Sequence, residues 1–343
     1  MSTASDDATT PLRPVDAGSL TAVVLTHLRP RLAGDVVRGL LGREHLLPDR
    51  IVVVVNGPGG LDDPALEDAV RMVRLERNTG PAGGFRAGLE AAFADPEVRW
   101  AYLCEDDVGL FDLPSPRLTE VLARIDSRER RPGSRPLGAV VAYGRTFVGR
   151  GAHTVNTVPL PTTDGSDLTA VDVACWGATL VSRDVVEAGI LPDPEWFFGL
   201  EDFDFFCRVR EAGFDVLLDG VAARSVADQQ SHAGRDAAIR ERRPTDAAEA
   251  WRGYYHARNS FALSRRHGRR SWLAWHLAYS ARHLQAARSG AERSAILHGL
   301  WDGARGRMGE NPRYGRQVGE HVTGAPPAGD GPAPGPAGAA HAP

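Results

Sequence analysis

The sequence predicts an α/β fold with a helical extension at its C-terminal end, and three observations predict it. Short β-branched runs alternate with helix-spaced segments through the first hundred residues, the alternation runs up to an acidic triplet, and from about residue 246 the chain turns to helix-forming sequence rich in Arg and Trp. Leu20–Thr26 and Ile51–Val55 are continuous apolar runs, the pattern of parallel strands buried on both faces. Between them, Leu32, Val36, Val37, Leu40 and Leu41 have the spacing of one helix face within Arg31–Leu47. Met72–Glu76 reads as a third strand, Gly84–Phe93 as a helix and Trp100–Cys104 as a fourth strand. Further on, Gly138–Tyr143 and Val171–Ser182 read as strands on either side of a polar loop or hairpin at 150–170. Residues 201–212 read as a helix, with Asp204 and Arg208 at i,i+4 and Gly213 as its stop.

Composition sets the outer limits. The 343 residues, 42% hydrophobic and 24% charged, fit one large domain or one with a small appendage. A net charge of -4 excludes a global polycation, so no nucleic-acid partner is expected and an anionic ligand would need a local site. The three cysteines, Cys104, Cys175 and Cys207, are widely spaced in apolar segments and read as buried reduced thiols of a cytoplasmic protein. Residues 1–19 have the composition of a flexible segment and lack the pattern of a secretory signal. No run approaches the roughly 20 apolar residues of a membrane span. The expected units are 1–19 flexible, 20–245 the α/β domain, 246–320 helical, and 321–343 a disordered Pro/Gly/Ala tail.

Two acidic clusters stand out because each follows a segment that should be buried. Glu105-Asp106-Asp107 follows Trp100–Cys104, and Glu201-Asp202 follows Trp196-Phe197-Phe198-Gly199-Leu200. In a twisted α/β sheet the carboxyl ends of strands meet the ligand. Glu105-x-Asp107 puts two carboxylates on one side of an extended segment, a spacing that suits one hard divalent cation, although a solvated acidic loop has the same sequence. Asn78 to Gly88, with Gly80, Gly83, Gly84 and Gly88, lies between a strand and a helix, where glycines admit either a ligand or merely a tight connection. It is neither a dinucleotide fingerprint nor a P-loop: Thr26-His27-Leu28-Arg29-Pro30 after the first strand lacks G-x-G-x-x-G, and no Gly-Lys-Ser/Thr follows.

Thr26, Asn56, Asn78-x-Gly80-x-Ala82-Gly83-Gly84-x-x-x-Gly88, the acidic triplet, and Trp196–Arg208 with Glu201-Asp202-Phe203-Asp204 occur in an order and spacing that resembles family 2 glycosyltransferases across residues 20–260. The Gly-Gly-Phe stretch and Trp251–Asn259 are most similar to bacterial galactofuranosyl- and rhamnosyltransferases of cell-envelope polysaccharide synthesis. The resemblance implies a GT-A nucleotide-diphospho-sugar transferase fold, a Rossmann-like mixed sheet flanked by helices. It implies inverting transfer of a galactofuranose- or rhamnose-like sugar from a UDP- or dTDP-linked donor to a glycan or lipid-linked glycan, with Mg²⁺ or Mn²⁺ as cofactor. Asp106 and Asn56 would contact the nucleoside, with Thr26, Asn78, Gly83, Gly84, Arg86 and Glu105 completing the donor site. Asp107, Glu105 and His232 would hold the metal.

Asp202 would be the base that takes the acceptor proton, with Glu201 the competing candidate; both also suit the acidic first turn of a helix. Trp176 and Trp196 would line the acceptor side, or else belong to the core. Two departures stand out: Glu105 replaces the usual aspartate, and His27-Leu28 replaces an aromatic-Asn pair, so the donor's identity is less secure than the reaction type. Arg258, Arg265, Arg266, Arg269, Arg270, Arg282 and Arg288 among Trp272, Trp275, Leu273, Leu277 and Leu284 suit either an anionic membrane surface or a basic face packed on the domain. A sugar-nucleotide pyrophosphorylase would need a Gly-rich, Arg-containing loop at 26–31 and finds none. A degenerate glycan-binding module would lack Asp107 or Asp202, and both are present.

Overall fold

A computed structural model describes residues 17–106, 117–158, 167–225, 250–287 and 289–314. The expected tail at 321–343 and most of the 1–19 segment lie outside them. The first half alternates as the sequence predicts: β1 (Leu20–Thr26), α1 (Pro30–Gly42), β2 (Ile51–Asn56), α2 (Pro64–Ala69), β3 (Arg71–Leu75), α3 (Gly80–Ala92), β4 (Trp100–Glu105) and α4 (Leu118–Glu129). Then come β5 (Leu137–Val141), β6 (Gly144–Phe147), β7 (Thr154–Asn156), β8 (Leu168–Ala170), β9 (Val173–Ala174), β10 (Thr179–Ser182), α5 (Arg183–Glu187), α6 (Glu201–Glu211) and β11 (Asp215–Asp219). The helices after them are α7 (Ala250–Arg266), α8 (Arg270–Ala286) and α9 (Gly290–Ala304).

Among the described residues the main sheet has eight strands in the order β3-β2-β1-β4-β10-β5-β11-β8. Strands β3, β2, β1 and β4 run parallel, whereas β10 is antiparallel to both β4 and β5, so the sheet is mixed. Alternation along β1 explains the unbroken apolar runs: Val23 and Leu25 enter the core beneath α3 and α6, while Ala22 and Val24 enter the core beneath α1 and α4. The chain leaves β1 toward β2 and returns past it to β4, so the strand order reverses between β1 and β4. A crevice opens at such a reversal, outside the carboxyl ends of the strands. Leu25 pairs with Glu105 there.

Three element boundaries differ from expectation, each for a local reason. The helix α3 begins at Gly80 rather than Gly84, because the Asn78 side chain accepts from the Gly80 N–H at 2.8 Å and Pro81 fits the first turn. The helix α1 ends at Gly42 rather than Leu47, ahead of a left-handed His45. The single strand expected over 171–182 is divided into β9 and β10 by a turn with left-handed Gly177 and Ala178. The 150–170 region contributes β7, which pairs with β6 in a small sheet, β7-β6-β9, set off from the main one.

The C-terminal helices share the main core. Leu263 of α7 and Trp272 of α8 belong to the same apolar cluster as Val23 and Phe205. Burial removes Arg258 and Trp272 from the basic, aromatic surface expected of this region. Arg266 is engaged by Asp193 at 2.7 Å and Asp204 at 2.9 Å, and Arg288 lies outside the described residues. Arg265, Arg269, Arg270 and Arg282 are exposed. Among the described residues no helix is long and apolar enough to cross a membrane.

Candidate functional site

The residues at the carboxyl edge of the sheet are tied to one another. Asp106, buried, accepts from Thr26 Oγ1 at 2.7 Å through Oδ2 and pairs with Arg29 at 3.0 Å through Oδ1. Both oxygens are thus engaged inside the protein, where they fix the loop that leaves β1. Asn56 is engaged as fully. Its Oδ1 accepts from the Thr79 backbone N–H at 2.8 Å and from Thr79 Oγ1 at 3.0 Å, while its Nδ2 donates to Gly80 O at 2.9 Å and Asn78 Oδ1 at 3.2 Å. His27 Nδ1 contacts Asn56 O at 2.6 Å, and burial lowers the His27 pKa. The expected nucleoside contacts, Asp106 and Asn56, therefore serve first as the latches of the 26–29 and 78–80 loops.

The glycine-rich stretch works mostly through packing. Gly80 has φ +72, and a Cβ there would fall 1.7 Å from Phe197 O, so the loop after β3 lies directly against the segment that precedes Glu201. Gly83 and Gly84 sit inside α3, where a Cβ would meet Thr79 Oγ1 at 2.4 Å and the Leu25 side chain at 2.3 Å. The absent side chain of Gly84 lets α3 lie close on β1, and that of Gly83 makes room for Thr79. Arg86, on the next turn, pairs with Glu90 at 3.0 Å on a partly exposed face.

Glu201 and Asp202 open α6, preceded by Leu200 in the left-handed region. A helix N-terminus favours an anion, yet burial dominates here. Asp202 is pushed up to about 6 by burial, opposed by the Phe203 N–H, the Cys175 thiol, its own N–H and the charge of Arg145. Glu201 is pushed well above the ordinary range by burial first and by the Asp202 charge second, and the Glu105 charge adds to it. The two acidic clusters thus converge: the last residue of β4 acts electrostatically on the first residue of α6. The Trp176 N–H favours the Glu201 anion without making a hydrogen bond of good geometry, and among the described residues Glu201 Oε2 has no hydrogen-bond partner.

The next acid, Asp204, is structural. Burial would raise its pKa, but His267, Arg208 and Arg266 surround it and hold it low. The acceptor-side placement of both tryptophans is corrected by burial. Trp196 is 0% exposed, with the Arg266 guanidinium 5.4 Å over its ring. Trp176 packs against Phe85, Phe205 and Phe206 with ring centroids 5.0, 5.3 and 5.7 Å apart, so its faces are in the core and only its N–H edge bears on the site.

Two neighbours of Asp202 escaped the sequence reading. Cys175, expected to be an inert thiol, hydrogen-bonds Asp202, and its own pKa is driven far up, chiefly by burial and then by the Asp202 charge. Arg145 reaches the pair from β6, where Thr154 holds it at 2.8 Å. Neither lies near Asp202 in sequence; β9 packs on α6, and the pairing of β6 with β9 brings Arg145 alongside. Asp107 and His232 lie outside the described residues. Among the described residues no three His, Cys, Asp or Glu side chains are placed to hold a metal ion.

No family model matches the chain, and no curated protein matches it. Among solved structures it is similar to 4-diphosphocytidyl-2C-methyl-D-erythritol synthase from Anaerococcus prevotii, at 14% identity over 61% of this chain and 92% of that one, with a TM-score of 0.33. That likeness is too weak to bear on activity.

Proposed function

We propose that this chain is an inverting glycosyltransferase of the GT-A type that moves a sugar from a nucleotide-sugar to a glycan hydroxyl. The observation that carries the reading is the convergence of Glu105, at the strand-order reversal, with the Glu201-Asp202 pair, Glu201 buried and Asp202 half-buried, whose members are pushed up in pKa to different degrees. Two carboxyls in unlike environments divide the acid and base roles, and they titrate as a pair. With the Asp202 pKa at about 6, Asp202 is largely ionised at neutral pH, while Glu201, pushed well above the ordinary carboxylate range by burial, favours its protonated form. Asp202 is then the base: it takes the acceptor proton as that oxygen attacks the anomeric carbon from the face opposite the departing nucleoside diphosphate. The attacking oxygen gains the C–O bond as the leaving phosphate oxygen takes the other electron pair, and the anomeric centre inverts.

The latched loops at 26–29 and 78–80 shape the crevice for the nucleotide, with Thr26, Asn56, Asn78, Gly83, Gly84, Arg86, Glu105 and Asp106 around it. A Mg²⁺ or Mn²⁺ ion at Glu105 and Asp107, with His232, would offset charge on the diphosphate. The donor class is a UDP- or dTDP-linked galactofuranose- or rhamnose-like sugar, and the acceptor a cell-envelope or lipid-linked glycan. A melting-temperature screen of UDP-, dTDP- and GDP-sugars, each with Mg²⁺ and with Mn²⁺, tests this. A ligand at about 100 times its Kd stabilises by about 2.7 kcal/mol, enough to see. If no nucleotide-sugar moves the transition with either metal, the reading is abandoned.

A further inference from the structure

The acid pair is held in place from the far end of the chain. The segment leading into it is conformationally costly: Phe197, Gly199 and Leu200 have φ of 55, 79 and 64°, and two of these three are not glycine. Such a backbone persists only where its surroundings over-determine it. It also turns the carbonyls of residues 196, 198 and 199 inward, where each needs a donor. A single side chain of α7, with two N–H donors on its amide, reaches all three, and Trp196 O also accepts from the Phe198 N–H at 2.7 Å. Asn259, 0% exposed, donates from Nδ2 to Trp196 O at 3.1 Å, Phe198 O at 2.8 Å and Gly199 O at 2.6 Å.

The amide is itself oriented. Its Oδ1 accepts from Arg258 Nε at 2.8 Å, which leaves Nδ2 facing the turn. Arg258 is also 0% exposed, donates to Trp196 O at 2.9 Å and to Gly309 O, and lies 4.8 Å over the Tyr255 ring. Across the turn, Phe197 O abuts Gly80 of the 78–80 loop, and the Gly309 N–H donates to Glu195 O at 2.6 Å. The turn is therefore gripped on both sides, and the residues that emerge from it are Glu201 and Asp202.

We infer that Asn259, oriented by Arg258, is a positioning residue for the acid pair, acting through the 196–199 carbonyls to set where α6 begins and where the Glu201 and Asp202 carboxyls point. The inference rests on the reading of Asp202 as the base, and it assigns a role in that site to the α7 helix. Among the described residues, the groups that act on Asp202 are Cys175, Glu201 and Arg145, with Glu105 acting on Glu201. None of them belongs to α7, so Asn259 has no direct electrostatic route to Asp202.

The test pairs Asn259→Ala with Arg258→Lys, which keeps the cation but removes the Nε donor that orients the amide. Two readouts are taken on the full chain. Release of nucleoside diphosphate is followed from whichever UDP-, dTDP- or GDP-sugar gives the largest thermal shift, and the carboxyl ¹³C titration of Asp202 is followed by NMR, assigned with Asp202→Asn. Asn259→Ala is expected to lower kcat at least 30-fold with donor KM within threefold. The Asp202 titration should move from about 6 toward the ordinary aspartate range, as the freed turn lets water reach it. Arg258→Lys should move both in the same direction by less, and it decides the matter if Asn259→Ala does not fold. A lowered melting temperature with kcat within threefold and an unmoved titration would make Asn259 a fold-stabilising residue only, and overturn the inference. The titration needs no substrate, so it judges the positioning role even if no nucleotide-sugar is turned over and the glycosyltransferase reading falls.

Discussion

At the residue scale, the account turns on a carboxylate that the fold makes uncomfortable. Asp202 has its pKa raised to about 6, mainly by burial. The folded protein therefore binds more protons than the unfolded chain between about pH 4 and pH 6, and stability is lost as pH rises through that window. Asp202→Asn removes the charge and should melt higher than the parent at pH 7.5, by a few degrees, while losing transfer at least 100-fold. Equal melting temperatures at pH 7.5 would mean that the carboxylate is not strained by its surroundings. Gly80 gives a second residue-scale test, because any side chain meets both a left-handed φ and the Phe197 carbonyl. Gly80→Ala should cost about 2 kcal/mol or more in chemical denaturation and disturb the acid pair through Phe197. A cost below about 0.5 kcal/mol would show that the turn is not pinned there. The acids at 105 and 201–202 were legible in the sequence because each follows an apolar run. Trp176 and Trp196 were not, since an aromatic residue reads the same whether its face meets a sugar or a neighbouring Phe. Cys175 and Arg145 left no signal at all, because tertiary contact, β9 packed on α6 and β6 paired beside β9, brings them to Asp202.

At the element scale, the strands were the most legible part. A parallel strand covered on both faces reads as a near-continuous apolar run, and β1, β2 and β4 are written that way apart from Thr21, Thr26, Asn56 and Glu105. The start of α3 lies four residues ahead of where the sequence places it, because glycine's low helix propensity hides a first turn held by the Gly80 N–H donating to Asn78 Oδ1. The break between β9 and β10 was missed because Ala178 takes a left-handed conformation that its identity does not announce. The packing of α7 on α8 carries its own pH dependence. His256 and His276, with ring centroids 5.9 Å apart, have their pKa lowered to about 4 and about 3 by burial, and His283 beside Tyr279 is lowered as well. Each is neutral in the fold and protonated in the unfolded chain between its folded value and about 6.5, so stability is lost as pH falls through that range. This opposes the carboxylate effect, and a variant separates the two. His276→Gln should reduce the slope of stability against pH near pH 5 by about one proton, roughly 1.4 kcal/mol per pH unit. An unchanged slope in denaturation series at pH 5 to 6 would show that His276 does not carry the dependence.

At the scale of the whole molecule, the reversal of strand order places the ends of β1, β2 and β4 around one crevice, and the C-terminal helices close on the segment that feeds α6. The first half of this arrangement follows from local sequence. The second does not, since hydrogen bonds from residue 259 to residues 196–199 span some sixty positions and no periodicity encodes them. The basic C-terminal helices suit either a membrane surface or a face packed on the domain, and here Arg258 is buried among the site's supports while Arg266, still exposed, pairs with Asp204. In the proposed reaction, Asp202 drives sugar transfer with loss of a nucleoside diphosphate. The direct measurement is chromatographic identification of the nucleotide released from the nucleotide-sugar that gives the largest thermal shift, with Mg²⁺ or Mn²⁺, by the parent protein and by Asp202→Asn. The account expects nucleoside diphosphate from the parent and at least 100-fold less from Asp202→Asn, with the donor's thermal shift retained. Nucleoside triphosphate formed on adding pyrophosphate, or equal release by the two proteins, would contradict it.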